Sequence, residues 1–341
     1  MAAKLDAWAM AMSPSARRRL DALDAQTRSP RPFGRATGAS AGAQQQQQQS
    51  QLLAGVGKAD ITNPNVLVPG VDVSLVQDAA TAAPIDNPMY AKVLIVRGPS
   101  SSTVGAPLTT VGFVTLDLVS FGEIGHITNE FLPRIRARLQ RELGLDPSGI
   151  VFNVNHGHGI PCDDVEQRTF EAIAAAAGSM VPVALGSGRG HEDRITENRR
   201  MFLRDGSEAD ARGAYALPPD EEVEGIGPID PSIGVLRLDR LSDGATLAVV
   251  YNFACHPIMG TPTGSNGADL TGFASRLVED ALSPGVTMAL FLQGCSGDVN
   301  PVRAVRAVQH TRSAATDTRV VQQRAQDCIA FLGACFFACS C

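Results

Sequence analysis

Hydrophobic positions from Leu52 onward alternate between short apolar runs and longer segments with an apolar residue at every fourth position. Short β-rich runs predict strands, and the four-residue spacing predicts helices. Strands are predicted at Val93–Val96, Thr109–Leu116, Ile150–Val154, Val181–Leu185, Val235–Leu238, Leu247–Phe253 and Thr287–Leu292. Helices are predicted through Phe131, Ile135, Leu139 and Leu143, with Pro133 as a kink or first-turn residue, and at Gln167–Ala177 and Phe273–Ala281. This order predicts an α/β fold with a layered, mixed, largely parallel sheet flanked by helices.

Composition divides the chain into three parts. Residues 1–51 are rich in Ala, Arg and Ser and end in the glutamine run Gln44–Gln49, which predicts a disordered low-complexity leader. One incomplete domain is predicted over residues 52–305, followed by an atypical tail over 306–341. Within the domain, residues 189–232 are polar and rich in Gly and Pro, and a loop of that length is usually functional or disordered.

Charge and hydropathy exclude several classes of protein. The net charge of −6 and an aromatic content of 5% argue against a nucleic-acid-binding surface. No apolar run is long enough to predict a transmembrane segment. The N-terminus lacks the compact apolar stretch of a secretory signal, and its acidic residues argue against a transit peptide, so the sequence does not fix the compartment.

Four of the predicted strands end in polar clusters that contain His or Asp. These clusters are Asp117, Asn155–Gly159, Cys255–Pro257 and Gly294–Pro301. In open α/β sheets, ligands bind beyond the carboxyl ends of the strands. The clusters therefore predict a single site at one edge of the sheet.

The histidines of these clusters form a candidate metal site. His156 and His158 would point to the same side of an extended segment, and the glycines at 157 and 159 would leave backbone room for a ligand. His256 precedes a proline, which favours an extended conformation. Three imidazoles would suit a zinc ion that activates water and polarises a carbonyl. The alternatives are two hydrogen-bonded histidines in a turn and a satisfied core histidine.

Other motifs do not reach the pattern that their chemistry requires. Gly55–Ala59 lacks the Ser/Thr of a phosphate loop, and Gly294–Gly297 is one residue shorter than a nucleophile elbow. Seven cysteines do not form a disulfide framework, and the spacing of the last three, Cys335, Cys339 and Cys341, fits no standard zinc knuckle.

Six segments, in this order along the chain, resemble the N-terminal catalytic domain of the neutral/alkaline non-lysosomal ceramidases. Asn155–Pro161 is similar to the family's THTHSGP motif, and Asn252–Pro257 to its NFAxHP motif. The remaining matches are Leu53–Thr62, Asp86–Lys92, the pair Asn198 and Arg199, and Gly294–Pro301. Together these segments span most of the predicted domain.

The resemblance implies a zinc-dependent amide hydrolase that cleaves ceramide into a sphingoid base and a fatty acid with a metal-activated water. His156 and His256 occupy the positions of zinc ligands, and His158 that of a substrate-facing histidine. Arg199 would hold the substrate or the developing oxyanion, and Asp298 would orient groups around the metal or the water. A lipid amide substrate and contact with a membrane surface follow, since the family is typically secretory or membrane-associated.

Two departures from the family pattern shape the interpretation. Asn300 stands where the family has its catalytic serine, and an amide is not a nucleophile, although it can hydrogen-bond a carbonyl or a water. The family takes further zinc ligands, a Glu and a Tyr, from sequence beyond this motif, and residues 306–341 contain no matching segment. Asp298, Asp269 or Asp117 would have to replace them. The alternatives are therefore a catalytically inactive truncated module, or a zinc hydrolase acting on another substrate.

Overall fold

A computed structural model describes residues 51–63, 87–101, 105–122, 127–210, 218–258 and 267–301. The predicted leader, apart from residue 51, and the predicted tail lie outside these residues, as do the four C-terminal cysteines. The described helices are α1 (Phe131–Leu143), α2 (Val165–Gly178) and α3 (Asp269–Leu282), and two short 3₁₀ helices lie at Pro147–Gly149 and Asp220–Glu222. None of the described helices has both the length and the apolarity needed to cross a lipid bilayer.

Eight of the described strands form one large sheet. They are β1 (Leu53–Asp60), β2 (Tyr90–Pro99), β3 (Leu108–Leu116), β4 (Ile150–Val154), β5 (Val181–His191), β10 (Ser232–Arg240), β11 (Thr246–Phe253) and β12 (Met288–Gln293). Their spatial order is β12-β11-β10-β5-β1-β2-β3-β4. The predicted α/β class and the mixed sheet flanked by helices are confirmed.

The sheet is less parallel than its alternating strand and helix signals predicted. Only β3–β4 and β11–β12 pair in parallel, and each of these connections passes through a helix. The other neighbours in the sheet pair antiparallel. The prediction of a largely parallel sheet is therefore corrected, because antiparallel pairs outnumber the two parallel pairs of this sheet.

The sheet folds over itself so that its two halves pack face to face. Alternate residues of β1–β3 and of β5, β10, β11 and β12 meet in one apolar cluster that includes Ala54, Leu94, Val250 and Leu290. The opposite faces bear the helices: α1 and α2 cover the half formed by β1–β4, and α3 covers β11 and β12. Successive side chains of a strand point to opposite faces of the sheet, so one set packs in the cluster between the halves and the other packs against the helices.

Helix α2 lies unusually close to β1. A Cβ atom on Gly57 would be 1.9 Å from the carbonyl oxygen of Ala172, and one on Gly55 would be 2.0 Å from that of Ala176. The glycines of the segment that resembles a phosphate loop therefore allow a helix backbone to contact a strand directly.

Side chains close the seam where the outer strand β12 approaches β2 and β4. Lys92 on β2 donates hydrogen bonds to Glu279 at 2.6 Å and to the carbonyl of Ala289 at 3.0 Å. Glu279 on α3 in turn accepts from the Ala289 amide at 3.0 Å, and the Gln293 amide donates to Asn153 on β4. The backbone of this edge strand is therefore satisfied by side chains rather than by another strand.

The polar segment predicted as a loop over residues 189–232 contains strands. The outer part of β5 extends to His191, and β6 (Thr196–Asn198), β7 (Arg200–Leu203), β8 (Glu208–Asp210) and β9 (Val223–Ile226) follow. Strand β6 pairs with β13 (Val299–Pro301), and β8-β7-β9 form a small separate sheet. Periodicity missed these strands because each spans only three or four residues.

Candidate active site

The turn after β4 places His156. This residue has a left-handed backbone with φ of 65°, which is uncommon for a residue with a side chain. Its amide donates to the carbonyl of Leu118, and its Nδ1 lies 2.8 Å from the carbonyl oxygen of Val119. The segment is therefore a turn rather than the extended chain that the His-x-His spacing predicted.

The end of β11 places His256 on the other half of the sheet. His256 is buried, and its amide donates to the carbonyl of Val299 at 2.9 Å. Its Nδ1 bonds the carbonyl oxygen of Ser296, in the segment after β12. Neighbouring parallel strands thus supply both the histidine and the carbonyl that orients it.

The two imidazoles meet edge to face with their ring centroids 4.5 Å apart. Because a carbonyl oxygen can only accept, each Nδ1 is the protonated nitrogen, and each Nε2 is left with its lone pair. A metal-binding histidine usually donates its second ring N–H to such an acceptor. The tautomers of His156 and His256 therefore suit a shared metal ion.

The charge state of His256 suits the same role. Burial lowers the pKa of His256 to about 4, and the neighbouring His156 adds to this effect, while the bond to Ser296 opposes it. A histidine with such a pKa is neutral at physiological pH, and the neutral imidazole is the form that binds a metal.

His158 lies beside the pair, with its ring centroid 5.4 Å from that of His156. The sequence predicted that the glycines of this segment would leave room for a ligand, and the structure does not show that room. A Cβ on Gly159 would lie 2.6 Å from the sulfur of Met89, and one on Gly157 would lie 3.2 Å from the Asn155 amide oxygen. Protein atoms fill the space at Gly159, where a side chain would displace Met89, and the space at Gly157 is tight.

Arg199 follows β6 at the border of the site. Its amide donates to the carbonyl of Asp298 at 2.8 Å, and its buried guanidinium lies 3.4 Å from the Asp210 carboxylate. The positive charge of Arg199 also makes a small contribution to the low pKa of His256. Asp298 is half-buried and touches Arg199 through its backbone.

Asn300 lies on β13, opposite Glu197 of β6, so both side chains project from the same face of the ribbon. It is 6% exposed, and its Oδ1 has no hydrogen-bond partner among the described residues. The Oε1 of Gln293 shares this property, while its Nε2 bonds Ser296 next to His256. Buried acceptors of this kind are uncommon and call for a donor from a water or a ligand.

None of the three candidate aspartates joins the histidine pair in a group that could hold a metal within the described residues. Asp117 accepts hydrogen bonds from the Tyr90 amide and from Asn155, and Asp269 binds the Leu270 amide at the start of α3. The described residues contain no group of three or more His, Cys, Asp or Glu side chains close enough to hold a metal. His156 and His256 alone are therefore fewer than the three protein ligands that a catalytic zinc ion usually has.

Sequence reasoning missed the residues that orient the histidines. The carbonyls of Val119 and Ser296 are backbone groups and carry no sequence signal. Asp210 pairs with Arg199 from a strand that was not predicted. Asn155 was placed in the cluster without a role, although an Asn two residues before a Gly is a turn signal.

Comparison with known proteins gives matches at the level of structure. No family model matches the sequence, and no curated protein matches it. The chain is similar to a neutral ceramidase from Pseudomonas aeruginosa, with a TM-score of 0.58 and 19% identity over 83% of this chain and 44% of that one. A ceramidase complexed with C2 gives a TM-score of 0.55 and 20% identity, over 83% and 43% of the two chains.

The chain has the fold of neutral ceramidase. This confirms the resemblance inferred from the six sequence segments. The chain spans less than half the length of these ceramidases.

Proposed function

We propose that the chain is a zinc-dependent amide hydrolase of the ceramidase type. The observation that carries this proposal is the pair His156 and His256. The two residues come from opposite halves of the sheet, and their ring centroids lie 4.5 Å apart. In each ring the Nδ1 atom bonds a backbone carbonyl, so that bond does not use the Nε2 atom. When bound, zinc would supply Lewis acidity toward a carbonyl and a nucleophilic water at neutral pH.

The other residues of the site have roles that follow from their charge and position. Arg199 carries a buried positive charge that acts on His256, and such a charge can stabilise the negative charge that an amide develops on its oxygen during hydrolysis. His158 is half-buried next to His156 and can accept or donate a proton at the reacting group. Asn300 offers an amide that can bind a carbonyl or a water, and Asp298 positions the backbone of Arg199.

The proposed substrate is an N-acylsphingosine or a similar lipid amide. Its support is the fold shared with neutral ceramidases together with the six matching segments. A lipid substrate implies that the chain meets it at a membrane surface or in a micelle.

A second candidate is a ceramidase-like module without catalytic activity. The described residues contain no group of three or more His, Cys, Asp or Glu side chains that could hold a metal, which favours this candidate, as does an amide at the position of the family's serine. Such a module would bind a lipid amide without cleaving it.

Metal analysis of the purified full chain, combined with hydrolysis of a fluorescent ceramide, separates the two candidates. The proposal expects about one zinc per chain, lost together with hydrolysis in His256→Ala. The control is His191→Ala, since that side chain is exposed and distant from the pair in sequence. A folded wild-type chain without zinc or hydrolysis would support the inactive module.

A further inference from the structure

Asn155 is buried at the join between β4 and the histidine turn, and its side chain is fully used. It is 2% exposed. Its Nδ2 donates to the Asp117 carboxylate at 2.8 Å and to the Thr271 hydroxyl oxygen at 2.7 Å. Its Oδ1 accepts from the Gly157 amide at 2.8 Å.

The bond to Gly157 spans His156 and closes a tight turn around it. This is the arrangement in which an Asn side chain bonds the backbone two residues on. A left-handed conformation is unfavourable for a residue with a side chain, because its Cβ comes too close to the following carbonyl oxygen. His156 has φ of 65°, so the Asn155 bond stabilises a conformation that the histidine alone would leave.

The two donor bonds fix this turn to both halves of the sheet. Asp117 follows β3, and its second oxygen is held by the Tyr90 amide at 2.8 Å, so this anchor belongs to the first half. Thr271 lies on α3, which packs on β11 and β12 of the second half. His256 follows β11. The Asn155 amide therefore ties the His156 turn to the layer from which His256 comes.

We infer that Asn155 is a positioning residue that holds the His156 imidazole against that of His256. An extended backbone at position 156 would redirect the ring, because the side-chain direction follows φ and ψ. The expected effect of Asn155 on zinc affinity rests on the proposed function, whereas its effect on the orientation of the His156 ring does not.

Asn87 provides a matched control. It is also a buried asparagine that joins β2 to α3: its Nδ2 donates to the Asp269 carbonyl at 2.7 Å, and its Oδ1 accepts from Arg276 at 3.1 Å. Neither of these bonds of Asn87 involves the turn at His156. Asn87→Ala therefore reports the cost of losing a buried amide between the layers without loss of the turn.

The experiment measures the ring geometry and the metal affinity separately in the full chain. The six histidines are labelled with ¹⁵N, and the nuclear Overhauser effect between the His156 and His256 ring protons is recorded without metal. Zinc affinity is then measured by competition with a chelator. Wild type, Asn155→Ala, Asn155→Ser and Asn87→Ala are compared, with urea unfolding of each.

The inference expects Asn155→Ala to lose the ring contact and to weaken zinc binding about 10- to 100-fold, as for other residues that orient a ligand. Asn155→Ser keeps an acceptor for the Gly157 amide, so it is expected to retain part of the ring contact and part of the zinc affinity. It also allows the test if Asn155→Ala does not fold. Asn87→Ala keeps the ring contact even when it is equally destabilised.

A ring contact that survives in Asn155→Ala, or that is lost equally in Asn87→Ala, would overturn the inference. A wild-type chain that shows the ring contact but binds no zinc would overturn the proposed function instead. In that case, loss of the contact in Asn155→Ala alone still establishes the positioning role.

Discussion

Buried Lys92 and half-buried Glu279 form an ion pair, 2.6 Å long, that joins strand β2 to helix α3 across the seam between the two halves of the sheet. Both side chains also satisfy the backbone of Ala289 on the outer strand β12. The pair therefore bonds backbone groups of an edge strand that has no neighbouring strand on that side. It also lies at the contact between the two halves of the sheet, and each half carries one of the two histidines.

Replacing Lys92 with Met is expected to lower the free energy of unfolding by about 3 kcal/mol, because it leaves the half-buried Glu279 carboxylate beside an apolar side chain. Lys58, 3.8 Å from Glu279, compensates for part of the loss. Urea unfolding measures the change. The double variant Lys92→Met, Glu279→Gln should be more stable than Lys92→Met alone. If the two variants unfold at the same urea concentration, the pair does not hold the seam.

Asp117 is expected to make the stability of the chain depend on pH. Burial raises the pKa of Asp117 from 3.8 to about 6, against the opposing effects of Lys92 and of the Tyr90 amide. The folded chain thus binds this proton more tightly than the unfolded chain does. The contribution of Asp117 to stability is fully present below about pH 4 and is lost as the pH rises through about 6.

Urea unfolding of wild type and Asp117→Asn between pH 4 and 7.5 tests this dependence. The difference in unfolding free energy between the two proteins should change by on the order of 2–3 kcal/mol across the range, in favour of the variant at high pH. Using the difference cancels the titration of the other groups. A difference that is constant with pH would show that Asp117 keeps an ordinary pKa.

Arg199→Lys is expected to lower the kcat/KM for ceramide about 10- to 100-fold while the zinc content is unchanged. Lysine keeps the charge but loses the planar donor set that binds an oxyanion. Arg200→Lys is the control, since Arg200 is an exposed neighbour on the next strand. Loss of zinc from Arg199→Lys would instead assign the residue to the metal site.

Asn300→Ser is expected to raise hydrolysis, because the hydroxyl would replace a buried amide whose Oδ1 has no partner in the described structure. Asn300→Ala is the control, as it removes the amide without adding a hydroxyl. Initial rates with the same lipid amide compare the three proteins. Equal rates would show that no side chain at position 300 takes part in the reaction.

The sequence by itself determined the elements and the candidate residues. Predicted helices match α1–α3, and predicted strands match β2–β5 and β10–β12 at least in part, because their apolar periods are regular. The clusters at the ends of β4, β11 and β12 identified His156, His256 and the segment of Asn300 in advance, since polar residues after buried strands stand out.

Only the tertiary structure decided the strand order, the folding of the sheet into two facing halves, and the turn at His156. Sheet order depends on contacts between residues far apart in the chain, which local periodicity does not contain. The orientation of His156 depends on Asn155 bonding Asp117 and Thr271, two residues from separate layers. The contact between His156 and His256 therefore depends on how the layers pack. In the sequence, each histidine is simply a polar residue that follows a strand.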